Sequence, residues 1–242
     1  MRIIVSPAKT MMQEPAEAPS VPVFIRDAGK IRQYLLSLDD DRFAQVMACS
    51  RKLTEENRER YRNMDLSRNL TPAAEAYDGI QYKYLDWRSL NADQQAYLND
   101  HLRILSAFYG VLKPSDGIAP YRLEMAAKTD IDGGNMYAYW GRRIYEEVSD
   151  GTVIISLASK EYEKCVAPYD KNMIRIVFAQ SAGGRLVSRG AYAKMARGAM
   201  VRWMAVHQIE DPAQIRSFSL MDYRFSGEAS SGREFVFVMN QE

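Results

Sequence analysis

The sequence predicts an α+β fold, a single mixed α/β domain that spans residues 1–242. First, 242 residues with 47% hydrophobic content can bury one sizeable core. Second, segments rich in β-branched and aromatic residues alternate with segments whose apolar residues recur at helical spacing. Third, we find no internal repeat, low-complexity tract or linker that would mark a domain boundary.

β-strands are predicted where β-branched or aromatic residues are enriched. These segments are residues 1–6, 152–157, 173–180, 218–225 and 234–239. Pro7 follows the first strand and removes a backbone donor, so residues 6–10 (SPAKT) are expected to form a loop. Three prolines, at positions 15, 19 and 22, predict an extended surface connection over residues 13–23.

Helices are predicted where apolar residues recur every three or four positions. These segments are residues 25–66, a helix from Asn91 or Asp93 to Gly110, residues 136–148 and residues 191–206. Residues 76–87 alternate aromatic and polar side chains and predict a short extended unit with a turn at Asp78-Gly79. Residues 53–68 mix both charge signs, which favours a salt-bridged, solvated helix face over one that contacts DNA.

Composition excludes several classes of protein. The 32 basic and 31 acidic residues nearly balance, so any anion binding must be local. No apolar run is long enough to cross a membrane and no signal peptide is evident, so we expect a cytoplasmic protein with no membrane partner. Cys49 and Cys165 form no CxxC pair, and His101 and His207 cannot build a zinc site alone. We therefore expect no metal and no cofactor, with a site of carboxylate oxygens as an open alternative.

Residues 171–209 contain no acidic side chain. The basic residues of this acid-free segment are Lys171, Arg175, Arg185, Arg189, Lys194, Arg197 and Arg202. At 100° per residue, Lys194, Arg197 and Arg202 share one helix face. Gly198 falls between them, and either close helix packing or close approach of a ligand would explain a glycine inside a helix.

Two interpretations of the acid-free segment stay open. Its cations either pair with acids from the first half of the chain, or they contact the phosphates of duplex DNA. Phosphate contacts would make binding strongly salt-dependent, because each neutralised phosphate releases counterions.

A second possible phosphate contact lies after the helix predicted to end at Gly110. In residues 105–125 an apolar-Gly-apolar turn is followed by Lys113 and Arg122, a pattern similar to the hairpin of helix-hairpin-helix DNA binders. A plain helix cap at Gly110 is the alternative. Arg122 and Glu124 could equally form a buried support under the turn.

Four segments together resemble one protein family. They are SPAKT at 6–10, LSAFYGVLKPSDGIAPYRLEM at 105–125, LASKEY at 157–162 and YAKMARG at 192–198. These are similar to the signature stretches of the YaaA family of peroxide stress resistance proteins, also called DUF328 or UPF0246, and the resemblance runs over nearly the whole chain.

The resemblance implies a cantaloupe-like fold with a positively charged cleft and a helix-hairpin-helix element. It also implies binding to double-stranded DNA, including bent or branched (junction) forms, and protection against hydrogen peroxide by limiting free intracellular iron. No obligatory protein partner is evident. Matching the motifs residue by residue places at the cleft Lys9, Thr10, Gly110, Lys113, Arg122, Lys194 and Arg197.

An enzyme is the alternative function. SPAKT and LASKEY both follow predicted strands, so the two loops could form a pocket at one edge of the sheet. Ser6, Lys9, Ser159, Glu161 and Tyr162 would offer hydroxyl, cationic and carboxylate groups there, although no Walker loop or His-centred triad is present. Alternatively, SPAKT is a structural loop whose Lys9 contacts phosphate or pairs with Glu161. The two hypotheses are a DNA-binding stress protein without turnover and an enzyme acting on a nucleotide or a damaged nucleobase.

Overall fold

The computed structural model describes residues 1–14, 16, 18, 20–182 and 185–239. The predicted extended connection at 13–23 therefore lies partly outside the described residues, since it includes positions 15, 17 and 19. Its other members up to Ser20 have no helix or strand.

A central mixed sheet organises the described part of the chain. The strands are β1 (Arg2–Val5), β2 (Thr10–Met11), β3 (Thr71–Pro72), β4 (Tyr77–Asp78), β5 (Leu102–Ser106), β6 (Gly110–Leu112), β7 (Gly117–Ile118), β8 (Ile154–Ser156), β9 (Ile174–Ala182), β10 (Arg185–Val187), β11 (Tyr223–Phe225) and β12 (Glu234–Met239). Eight of them form one sheet in the order β11-β12-β9-β8-β1-β5-β6, with β10 paired to β9. The five inner strands, from β12 to β5, are parallel, whereas β6 and β11 are antiparallel edges.

Helices cover the sheet and complete the core. They are α1 (Ile25–Ser37), α2 (Asp40–Met47), α3 (Arg51–Asn63), α4 (Ala73–Ala76), α5 (Ile80–Leu85), α6 (Ala92–His101), α7 (Met136–Trp140), α8 (Arg143–Val148), α9 (Lys160–Glu163) and α10 (Gly190–Val206), with 3₁₀ turns at Trp87–Ser89 and Pro212–Ser217. Buried side chains from the sheet and the helices form one hydrophobic core cluster. The predicted mixed α/β fold is confirmed.

The predicted helix at 25–66 is three helices, because polar caps interrupt it. Leu38 is extended and the Asp39 side chain accepts a hydrogen bond from the Arg42 amide, which starts α2. Ala48 has a φ of 47° and ends α2, after which Ser50 caps α3.

The predicted helix from Asn91 to Gly110 is wrong over its second half. The Asn91–Gln94 capping box starts α6, but α6 ends at His101 and residues 102–106 form β5, parallel to β1. All five residues of β5 are buried, as expected for a strand inside a parallel sheet. Because β5 turns directly into the antiparallel β6, this segment forms a β-hairpin and not a helix-hairpin-helix element.

Three smaller predictions need correction. Gly141, with a φ of 52°, divides the predicted helix 136–148 into α7 and α8. Residues 80–85 of the predicted extended unit are helical, because Tyr82 and Leu85 bury one face of α5. The predicted strand 218–225 is extended only in β11, since Met221 and Asp222 have positive φ in the preceding turn.

Candidate anion-binding pocket

Two loops meet at the carboxyl edge of the sheet. β1 and β8 are adjacent and parallel, so the SPAKT loop after β1 and residues 157–162 after β8 leave the sheet side by side. This is the arrangement expected from the sequence. Together with α5, residues 121–124 and α10, the loops enclose a cavity of about 410 Å³.

Hydroxyl groups join the two loops. Ser6 Oγ donates to Ser159 Oγ at 3.1 Å and accepts the Ser159 backbone N–H at 2.8 Å. The Tyr82 hydroxyl donates to the Ser6 carbonyl at 2.9 Å. The predicted pocket serines are therefore in direct contact, and α5 is fastened to the same loop.

The loop lysine pairs with an acid that the sequence did not single out as its partner. Lys9 Nζ lies 2.7 Å from Glu124 Oε1, whereas the sequence analysis expected Lys9 to contact phosphate or to pair with Glu161. Arg122 Nη2 lies 3.5 Å from the same oxygen. Glu124 thus holds Lys9 and Arg122 at one wall of the pocket.

Helix α10 contributes two further cations to the pocket. Lys194 is exposed and Arg197 is mostly buried, and both line the cavity. The Nε atoms of Arg197 and Arg122 are buried without a hydrogen-bond partner among the described residues. Burial lowers the pKa of the Arg197 guanidinium, and only the charge of Glu163 opposes this shift. A buried donor of this kind is costly unless something binds it.

Glu161 and Tyr162 contribute polar groups from α9. Glu161 Oε1 accepts the Ala126 N–H at 3.0 Å, and the Tyr137 hydroxyl donates to the Glu161 carbonyl at 3.0 Å. Burial raises the pKa of Tyr162 well above its usual value, so its phenol is neutral and can only exchange hydrogen bonds with a ligand.

Behind the pocket lies a rigid layer of tyrosines. The Tyr121 hydroxyl is 2.8 Å from that of Tyr77 and 2.7 Å from Ser106 Oγ, and burial raises the pKa of Tyr121 to about 12. Tyr121 also stacks on Phe108 with ring centroids 5.1 Å apart. Tyr121, which lines the pocket, is therefore supported by buried hydrogen bonds and aromatic packing.

The structure brings most of the predicted site residues together. The cavity is lined by Ser6, Lys9, Thr10, Arg122, Ser159, Glu161, Tyr162, Lys194 and Arg197. They come from four separate parts of the chain. The pocket thus contains both the proposed phosphate contacts and the proposed catalytic groups.

Four predicted residues, Gly110, Lys113, Gly198 and Arg202, do not line the pocket. Gly110 lies in β6 with a φ of 71°, where a Cβ would clash with Phe24 and Trp140, so tight packing explains this glycine. Lys113 follows β6, which runs away from the carboxyl edge of the sheet. Arg202 donates to the carbonyls at the end of α5, at 3.2 Å from Leu85 and 3.0 Å from Asp86.

Gly198 packs against protein and does not form a notch for an anion. A Cβ at this position would lie 2.0 Å from the carbonyl oxygen of Gln81 in α5. Of the two explanations that the sequence left open, close helix packing is therefore the correct one.

The sequence analysis missed Gly79 and Asp78 as pocket residues. Asp78 pairs with Thr10 in the small β2-β4 sheet, which positions the SPAKT loop. A Cβ on Gly79 would lie 2.8 Å from the Ala8 side chain, so glycine allows the loop to approach α5. The Asp-Gly turn in the sequence was a signal for this close contact.

Two further features are absent from the described ranges. No group of three or more His, Cys, Asp or Glu side chains there is arranged to hold a metal ion. In the same part of the chain, no helix combines the length and hydropathy that a bilayer crossing requires.

Comparison with known proteins gives full-length matches. Residues 1–229 match the family described as peroxide stress protein YaaA. A UPF0246 protein of Agathobacter rectalis is 45% identical over 245 residues, which cover 98% of each chain. UPF0246 proteins of Desulfitobacterium hafniense and Lachnoclostridium phytofermentans are 43% and 40% identical, over 98% and 100% of this chain and 98% and 97% of theirs.

Proposed function

We propose that this chain, which belongs to the peroxide stress protein YaaA family, protects cells under peroxide stress by binding double-stranded DNA at the cationic pocket. The proposal includes bent and branched DNA as preferred forms. It also includes, as a consequence in the cell, a lower level of free intracellular iron. Family membership supports the stress role, and the charges around the pocket support the choice of partner.

One observation carries the DNA proposal. Within the described residues, only two cations of the acid-free segment form ion pairs, Arg175 with Glu163 and Glu234, and Arg202 with Asp86. The other cations of that segment therefore remain available to phosphate. Two of them, Lys194 and Arg197, line the pocket.

Exposure of the unpaired cations suits a polyanion. Lys194, Arg185 and Arg189 are exposed at or before the first turns of α10. Lys9 also lines the pocket and is 67% exposed, although it pairs with Glu124. A phosphate backbone lying over the pocket could contact such side chains without reading any base. DNA shape would then determine preference more than sequence.

A salt titration of duplex and junction DNA tests this proposal. Lys194→Ala is expected to lower the slope of log affinity against log salt by about 0.9, as for one lost phosphate contact. Lys52→Ala removes a lysine that is 86% exposed on α3, and Lys113→Ala removes one that does not line the pocket. Equal slopes for all three variants and the parent protein would rule out the pocket as the DNA site.

The part of the proposal that concerns iron needs a cellular test. A strain lacking this protein is exposed to peroxide, and chelatable iron is measured after complementation with the parent chain or Lys194→Ala. We expect the parent chain, and not the variant, to lower free iron. Full rescue by a variant that has lost DNA binding would separate the iron effect from DNA.

A second candidate function is an enzyme acting on a nucleotide or a damaged nucleobase. Ser6 and Ser159 are in contact, and both line the pocket together with Glu161 and Arg197. This grouping favours an enzyme, because two hydroxyl groups and a carboxylate lie in one cavity with a cation. A product search on nucleotide mixtures tests it. Conversion that is lost in Ser159→Ala and Glu161→Gln, with DNA affinity unchanged, would establish turnover.

A further inference from the structure

Some charged side chains of the pocket form ion pairs, whereas cations of α10 and one carboxylate do not. Glu124 is neutralised by Lys9 at 2.7 Å, and Asp78 by Lys83 at 3.3 Å. Lys194 and Arg197 of α10 (the cationic wall) and the carboxylate of Glu161 (the acidic wall) line the same cavity and have no ion pair among the described residues. A ligand that satisfies both must carry an anionic group and a separate hydrogen-bond donor.

The cationic wall is suited to a phosphate. The buried Nε of Arg197 has no partner among the described residues, and the exposed Lys194 lies three residues before Arg197 on α10, so the two are neighbours on the helix surface. A guanidinium and an ammonium that converge on one space bind phosphate through charge-assisted hydrogen bonds.

The acidic wall is suited to an amino group. One oxygen of Glu161 accepts the Ala126 N–H at 3.0 Å, and no described residue donates to the other oxygen. Carboxylates accept hydrogen bonds from the exocyclic amines of nucleobases. A base with a carbonyl group in that position would bring its oxygen against a carboxylate oxygen. Both atoms are acceptors, so no hydrogen bond would form between them.

The lining also includes aromatic and apolar side chains. Tyr82 and Tyr162 are nearly buried, and Ile80 lines the same cavity. A volume of about 410 Å³ is within the range of small-molecule sites and far exceeds that of inorganic phosphate. This lining suits a flat ring that stacks or packs on the tyrosines.

We propose that the pocket binds one nucleotide unit whose base carries an exocyclic amino group, with its phosphate on Arg197 and Lys194 and its amine donating to Glu161. This inference rests on the proposed function and specifies the ligand of the same site. The nucleotide is either free in solution or an unpaired nucleotide of a distorted duplex.

The inference is tested by measuring how the full chain binds pairs of ligands that differ at the amino group. Adenosine monophosphate is compared with inosine monophosphate by calorimetry. A duplex with one unpaired deoxyadenosine is compared with one that carries unpaired deoxyinosine, by fluorescence anisotropy. In at least one pair we expect the amino ligand to bind about tenfold more tightly, as for one hydrogen bond to a charged group.

Glu161→Gln tests the assigned contact, because glutamine can still accept the Ala126 N–H. We expect this variant to lose the preference for the amino ligand. Glu55→Gln is the matched control, since Glu55 is 65% exposed on α3 and pairs with Arg51 outside the pocket.

The two proposals fail in different ways. Equal binding of amino and carbonyl ligands in both pairs, with duplex binding intact, would overturn the nucleotide inference and leave DNA binding in place. A preference that persists in Glu161→Gln would overturn it as well. Absence of binding to every nucleotide and every duplex would overturn both proposals.

Discussion

Helices α3 and α10 both carry several cations, but the structure uses them differently. In α3, Arg51, Lys52 and Arg62 each pair with a glutamate of the same helix, as the mixed charges of that segment predicted. In α10, no acid is available along the helix, and Lys194 and Arg197 instead line a pocket. Whether acids lie three or four residues away on the same helix thus separates a salt-bridged, solvated face from one whose cations line a cavity.

The largest expected effect concerns how α10 is held in place. Gly198→Ala puts a Cβ 2.0 Å from the Gln81 carbonyl, and we expect this overpacking to lower the free energy of unfolding by about 3 kcal/mol. Urea denaturation measures the change. The control is Gly190→Ala at the start of α10, where a Cβ meets nothing within 4 Å. Equal stability of the two variants would mean that α10 does not depend on contact with α5.

The second-largest expected effect concerns Arg197, whose burial lowers the stability of the protein and whose charge is proposed to bind the ligand. Arg197→Met removes a buried guanidinium whose Nε has no described partner, so we expect stability to rise by about 1 kcal/mol and ligand binding to be lost. The same urea titration and a DNA-binding assay report both quantities.

Arg62→Met is the matched control for Arg197→Met. Arg62 is 55% exposed and pairs with Glu59 on α3, so neither stability nor binding should change appreciably. If Arg197→Met lowered stability instead, the guanidinium would be satisfied within the protein, and the difference between the two helices would disappear.

The smallest effect concerns the start of each helix. α3 begins at Ser50, which caps it, whereas α10 begins after Arg189, which is extended but provides no side-chain cap. Arg189→Ser should stabilise the protein by about 0.5–1 kcal/mol while slightly weakening DNA binding. Arg185→Ser removes the same charge without adding a cap and should show only the weaker binding. A stability gain in both variants would attribute the effect to charge.

Much of the fold could be predicted because periodicity reports directly on burial. β1, β12 and α10 agree with the sequence to within a residue or two. Residues 102–106 misled the prediction, because Leu98, Leu102 and Leu105 also have helical spacing. A parallel strand buried on both faces has no alternation to distinguish it from a buried helix.

The pocket could be predicted only in outline. Adjacent strand ends explain why SPAKT and LASKEY were expected to meet, since both strands were recognisable. The pairing of Lys9 with Glu124 and the contact of Gly198 with Gln81 depend on elements far apart in sequence. No local pattern could have distinguished Arg202, which caps α5, from Arg197, which enters the pocket.

The wide spacing of the pocket residues along the chain has a consequence for protein synthesis. The pocket needs residues from Ser6 to Arg197, and β9 lies between β8 and the C-terminal β12. A nascent chain on the ribosome therefore carries the basic segment before β12 has joined the sheet. The pocket itself cannot form until α10 has been synthesised and has packed against α5, because Lys194 and Arg197 are the last of its lining residues along the chain.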